Sequence, residues 1–164
     1  MDKKDVVKKT SKRLPGEKPP PGIRNNNPLN IMRSKSKWIG QTNYDSKDRF
    51  CKFSQMYYGW RAALIIMAAT YFNRDWNTIR LIIEHWAPYT ENNTDSYIAF
   101  VSKYTGIKED TVLPRFYASP DTYCQILIAM AKVECGYAWI RDDEIYDLKS
   151  VIHYMNINNV LNVK

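Results

Sequence analysis

The chain carries little sulfur or imidazole chemistry, with two histidines and three cysteines in 164 residues. Two histidines without ligand spacing do not make a catalytic metal centre. Cys51, Cys124 and Cys135 are odd in number and fit no zinc or redox spacing, so they read as reduced, mostly buried thiols. No cofactor is called for. No apolar run is long enough to span a bilayer, and no secretory apolar region lies near Met1. A role at a cell wall would therefore need another agent to deliver the protein. Nucleic acid as the main ligand is disfavoured, because no nucleic-acid motif is present and the residues beyond the N-terminal stretch are close to charge balance.

What the chain does have is aromatic residues, charge at one end and helical periodicity. Five Trp and twelve Tyr exceed what one core of this size needs and suit a cleft that stacks sugar rings, although packing accounts for most such residues. The net charge is +7, and residues 1–24 hold eight basic residues against three acidic ones, a surplus of five. With its prolines and without apolar periodicity, this stretch reads as a flexible tether for a virion partner, a membrane surface or an anionic polymer. The boundaries are an arm at 1–22 and a single domain at 23–164.

Within the domain the pattern predicts an α+β fold, predominantly helical, with one small β-hairpin. The three consecutive asparagines before Pro28 predict a turn-rich loop at residues 25–30. Strands are expected near Trp38–Ile39 and over residues 50–53, joined by QTNYDSKD. Helices are expected at 55–72 behind Ser54 as N-cap, at 78–86 behind Asp75 or Asn77, and from Thr94 as N-cap to Gly106. Another opens at Ser119–Pro120 and runs through Ile126 and Met130, and a final amphipathic segment covers 148–156. Gly59, inside the first of these helices, signals close packing. A plain helical bundle is the structural alternative.

One carboxylate stands out. ILIAMAKVECGYAW ends its helix with Glu134, just before Cys135 and Gly136. A carboxyl backed by apolar residues holds its proton more readily than one in water, as general-acid catalysis requires. The bland reading is a solvated residue before a helix C-cap.

The blocks GIRNNNPLNIMRS, KWIGQT, RFCKFSQMYYGWRAALIIMAA and TIRLIIEHWAPYTENNTDSYIAFV, in this order, resemble a phage virion-associated muralytic family with a lysozyme-like fold. With the Glu134 helix, the resemblance runs from Gly22 to about Trp139. AMAKVECG is also similar to the A-x-x-E-S-G helix of glucosaminidases and lytic transglycosylases, with cysteine in place of serine and with the segments in a different order. This implies a circularly permuted arrangement in which Glu134 folds back on the loop at 25–30.

The resemblance implies cleavage of peptidoglycan glycan strands by a muramidase, glucosaminidase or lytic transglycosylase, with Glu134 as the acid. A second carboxylate would come from Glu91, in the ENNT block, or from Asp48 or Asp45 in the hairpin; a transglycosylase needs none. Asn25, Asn26, Asn27, Asn30, Asn92 and Thr94 offer uncharged donors and acceptors to N-acetyl and hydroxyl groups, while Trp38, Trp86 and Tyr97 offer stacking walls. Each also has a structural reading, as turn, cap or core. The competing function is a non-catalytic virion or assembly protein that binds glycan or a neighbouring subunit.

Overall fold

The computed structural model describes residues 15–154. Most of the basic arm, and the end of the final helix at 155–156, lie outside the described residues. The order is α1 (Pro21–Arg24), α2 (Met56–Ile65), a π-helical stretch (Ile66–Tyr71) running into a 3₁₀ turn (Phe72–Arg74), α3 (Ile79–Trp86), α4 (Thr94–Thr105), α5 (Pro120–Cys135) and α6 (Ile145–Tyr154), with further 3₁₀ turns at Phe116–Ala118 and Asp142–Glu144.

α5 is the axis. From Ile126 to Cys135 every residue is buried. A helix apolar on all sides needs neighbours on all sides, and α1, α2, α4 and α6 pack around it. Trp60, Tyr97, Tyr123 and Phe116 are the largest fully buried side chains of this core. Removing any of them would cost about 3–5 kcal/mol by cavity formation.

Helix ends follow local chemistry, with shifts of a residue or more from expectation. Thr78 caps α3 itself, its side chain accepting from Leu81 N at 3.1 Å. Asn93 rather than Thr94 caps α4, because Thr94 is turned inward to bond Ala87 O at 2.5 Å. Gly106 ends α4 in the left-handed conformation, φ 72°. Gln55, not Ser54, precedes α2, with no side-chain cap. The single helix expected over 55–72 changes to π geometry at Ile66, which adds a residue to the turn and re-aims everything after it.

The expected β-hairpin does not form, and the α+β assignment is corrected to an all-helical fold with an irregular loop. Between residues 31 and 53 the pairing consists of two isolated antiparallel bridges, Met32 with Phe50 and Gln41 with Phe53. Side chains take or share several of the backbone groups that a ladder would use, although Cys51 N still bonds Ile31 O at 2.9 Å. Asn27 Nδ2 donates to Ile31 O at 3.0 Å and Cys51 O at 2.9 Å. Asn43 donates to Phe50 O and accepts from Lys52 N, and Arg33 donates to Asp48 O and Tyr44 O. The hairpin expected of a lysozyme-like fold is thus absent among the described residues.

The loop at 25–30 is pressed against α2. A Cβ built on Gly59 would lie 2.1 Å from Asn26 O and 2.9 Å from Pro28 Cδ. We expect Gly59→Ala to lower stability by about 1–3 kcal/mol in urea unfolding, since overpacking must move the loop backbone; an unchanged midpoint would refute this close approach.

The C-terminal turn of α5 also carries a buried lysine. Lys132 Nζ donates to Ile140 O at 2.8 Å and pairs with Asp142 at 3.2 Å, between the rings of Tyr104 and Tyr137. The Asp142 carboxyl is held below its ordinary value, chiefly by the Tyr104 hydroxyl and also by Lys132. A depressed folded pKa stabilises above the unfolded value near 3.8 and is lost as pH falls through the folded one. Asp142→Asn should therefore cost at most about 1 kcal/mol at neutral pH, because the carboxylate is largely exposed. The gap to the natural chain, followed by thermal unfolding against pH, should close on acidification below 3.8.

Candidate functional site

Glu134 sits on the last turn of α5, only 7% exposed. Its carboxylate receives donors from three separate parts of the chain. Asn30 Nδ2, from the loop after α1, lies 3.2 Å from Oε2. Trp86 Nε1, from the end of α3, and Tyr97 Oη, from the first turns of α4, each lie 3.1 Å from Oε1. A buried carboxylate is tolerable only when satisfied in this way. Of the residues expected at the site, Asn30, Trp86, Tyr97 and Glu134 are thus brought together.

Tyr97 is 2% exposed. Burial, then the charge of Glu134 and the hydrogen bond to it, hold the phenol far above its ordinary value, so it remains a donor. Its hydroxyl also has a second acceptor, Met130 O, at 3.3 Å. Cys135, beside the acid, donates its Sγ–H to Pro28 O at 3.3 Å. Burial first, and Glu134 next, push that thiol up, which suits a structural rather than a nucleophilic cysteine.

The Asn30 amide is only half satisfied. Its Oδ1 is buried with no hydrogen-bond partner among the described residues. Gly22 closes over this corner: a Cβ there would lie 2.5 Å from Cys135 Sγ, 2.9 Å from Asn27 O and 3.0 Å from Asn30 Oδ1.

The remaining candidates stand elsewhere in the hydrogen-bond network. Asn27 is fully buried and organises the loop, while Asn26 Nδ2 bonds Phe53 O at 3.0 Å and the Asn25 carbonyl accepts from Phe53 N. Asn92 bonds Pro88 O, and Thr94 bonds Ala87 O. Trp38 is partly buried against the core. Glu91 is exposed in the turn after Pro88. Asp45 is exposed on the loop. Asp48 is bonded by Ser46 and Asn43 and paired with Lys52 at 3.2 Å, and these contacts, led by Ser46, hold its carboxyl below the ordinary value. Neither Glu91 nor Asp48 shares a described hydrogen-bond partner with Glu134.

An aromatic wall that the sequence did not single out borders Trp86. Tyr71 lies edge-on to Trp86, with ring centroids 6.4 Å apart, and to Trp76 at 4.9 Å. Trp76 in turn stacks on His85 at 3.6 Å. Burial pushes the Tyr71 phenol up to about 12, so it stays protonated and uncharged at neutral pH. The π-helical stretch delivers Tyr71 here, and periodicity at 3.6 residues per turn carries no signal for that.

No protein-family model matches the chain. Over 127 residues it is 35% identical to Protein P5 of Pseudoalteromonas phage PM2, covering 76% of each chain.

Asn27 provides a test of how the loop is held. Asn27→Ala strands the Ile31 N–H and the Cys51 carbonyl, while the Ile31 carbonyl keeps its bond from Cys51 N, and should cost about 2–4 kcal/mol. Asn92→Ala, at a partly exposed bond to one carbonyl, should cost about 1 kcal/mol or less. Equal losses in chemical denaturation would contradict the division of roles.

Proposed function

Because the chain belongs to the family of Protein P5 of Pseudoalteromonas phage PM2, we propose that it serves a bacteriophage as a virion-associated enzyme that cleaves the glycan strands of peptidoglycan, with Glu134 as general acid. The observation that carries this reading is the placement of Glu134: a buried carboxyl at a helix end, gripped by the uncharged donors Asn30, Trp86 and Tyr97. Loss of its charge strands no cation among these three.

Protonation is accommodated by the same neighbours. A 180° rotation of the Asn30 amide presents the unpartnered Oδ1 to a protonated Oε2, and the Tyr97 hydroxyl can turn to Met130 O. Of the three donors, Asn30 and Trp86 are partly exposed whereas Tyr97 is not. A sugar therefore approaches past Asn30 and Trp86, with the Trp86 and Tyr71 rings as its stacking wall. Glu134 donates its proton to the glycosidic oxygen as the anomeric bond breaks. No second carboxylate shares a described hydrogen-bond partner with it, and attack on the anomeric carbon by the sugar's own 6-hydroxyl, whose proton returns to the Glu134 carboxylate as the anhydro product forms, fits better than a two-carboxylate hydrolysis.

The second reading is a non-catalytic virion protein that binds glycan or a neighbouring subunit. It is favoured by the low exposure of Glu134, 7%, and by its full set of bonds, as expected of a carboxylate that only closes the core.

Incubating purified sacculi with the natural chain and with Glu134→Gln separates the two. We expect the natural chain to release muropeptides with anhydro termini, detected by mass spectrometry. The variant, folded by circular dichroism, should be slower by at least about a hundred-fold, the lower range for loss of an acid catalyst. Sacculus binding without product from the natural chain would establish the scaffold reading instead.

A further inference from the structure

The near-balance of charge beyond the arm conceals a division. Residues 31–52 hold six basic residues, Arg33, Lys35, Lys37, Lys47, Arg49 and Lys52, against Asp45 and Asp48. Residues 53–154 hold nine basic residues against twelve acidic ones. The cationic segment is the irregular loop that replaced the hairpin.

Internal contacts make this loop one unit. Arg33 N bonds Arg49 O at 2.9 Å, Lys37 Nζ sits 5.7 Å from the Tyr44 ring centroid, and the Tyr44 hydroxyl donates to Trp38 O. Arg33 is spent on holding the loop, and Lys52 is paired with Asp48. Lys35, Lys37, Lys47 and Arg49 are exposed.

The same surface carries apolar side chains that the core does not use. Met32 is 55% exposed and Ile39 58%. Phe50, opposite Met32 in its bridge, is only partly covered, with the Arg49 guanidinium 5.2 Å from its ring centroid.

Exposed aliphatics interspersed with exposed cations along one loop match a lipid headgroup boundary, where cations meet phosphates and short apolar side chains enter the acyl region. A nucleic-acid backbone would reward the cations but leave Met32 and Ile39 in water. We propose that this loop is a membrane-docking surface for bilayers containing anionic phospholipid. It is independent of Glu134 and of glycan cleavage.

The test is co-sedimentation of the full chain with vesicles of phosphatidylcholine alone, or mixed with phosphatidylglycerol, at low and high salt. Binding should require phosphatidylglycerol and weaken with salt. The triple variant Lys35→Gln, Lys37→Gln, Lys47→Gln should lose about a hundred-fold in affinity, at about five-fold per cation. Met32→Ser with Ile39→Ser should lose at least about ten-fold with an unchanged melting temperature. Failure to bind the mixed vesicles overturns the proposal. So does binding that neither variant affects, which would locate it in the arm, and so does binding to duplex DNA without binding to vesicles.

Discussion

The fold is organised around the need to bury one carboxylate. Glu134 lies on the most enclosed helix of the molecule, where an unsatisfied charge would cost several kcal/mol. Its donors come from the loop after α1, the end of α3 and the start of α4. Those segments are separated by up to 104 residues from the acid, so the interaction closes most of the described chain on itself. Close packing at Gly22 and Gly59 is a consequence, because Asn30 reaches Glu134 only if the loop lies flush against both α5 and α2.

The asparagines show how a polar motif divides its labour. From composition alone, Asn25, Asn26, Asn27 and Asn30 were equivalent donors for a sugar. In the structure Asn27 replaces a β-ladder, Asn26 ties the loop to Phe53, and Asn30 alone faces the acid. Two of them, Asn26 and Asn30, adopt positive φ of 52° and 51°. Asparagine tolerates this conformation through local side-chain bonds where most other residues would be strained. The run of asparagines therefore serves backbone geometry first.

Helices were legible where local rules decide them. The start at Ser119–Pro120, the stop at Gly106 and the enclosure of α5 were all written in turn and cap residues or in continuous apolar sequence. The hairpin was not, because alternation and turn residues predict strands only if the backbone groups are free to pair. Here Asn27, Asn43 and Arg33, two of them outside the predicted element, compete for those groups. Glu134 was legible as an isolated carboxylate in apolar sequence. Tyr71 was not, since a π-helical stretch displaces it from the face that regular spacing assigns.

Two buried charges two residues apart on α5 are treated in opposite ways. Lys132 is given a carbonyl, a carboxylate and two aromatic faces, a set that anchors the turn after the helix. Asn30, Trp86 and Tyr97 give Glu134 uncharged donors, and two of these, Asn30 and Tyr97, can satisfy it in either protonation state by rotating an amide or a hydroxyl. The convergence of donors from three chain segments on one buried carboxylate, rather than any resemblance of overall shape, is the physical basis for proposing chemistry at this end of the helix.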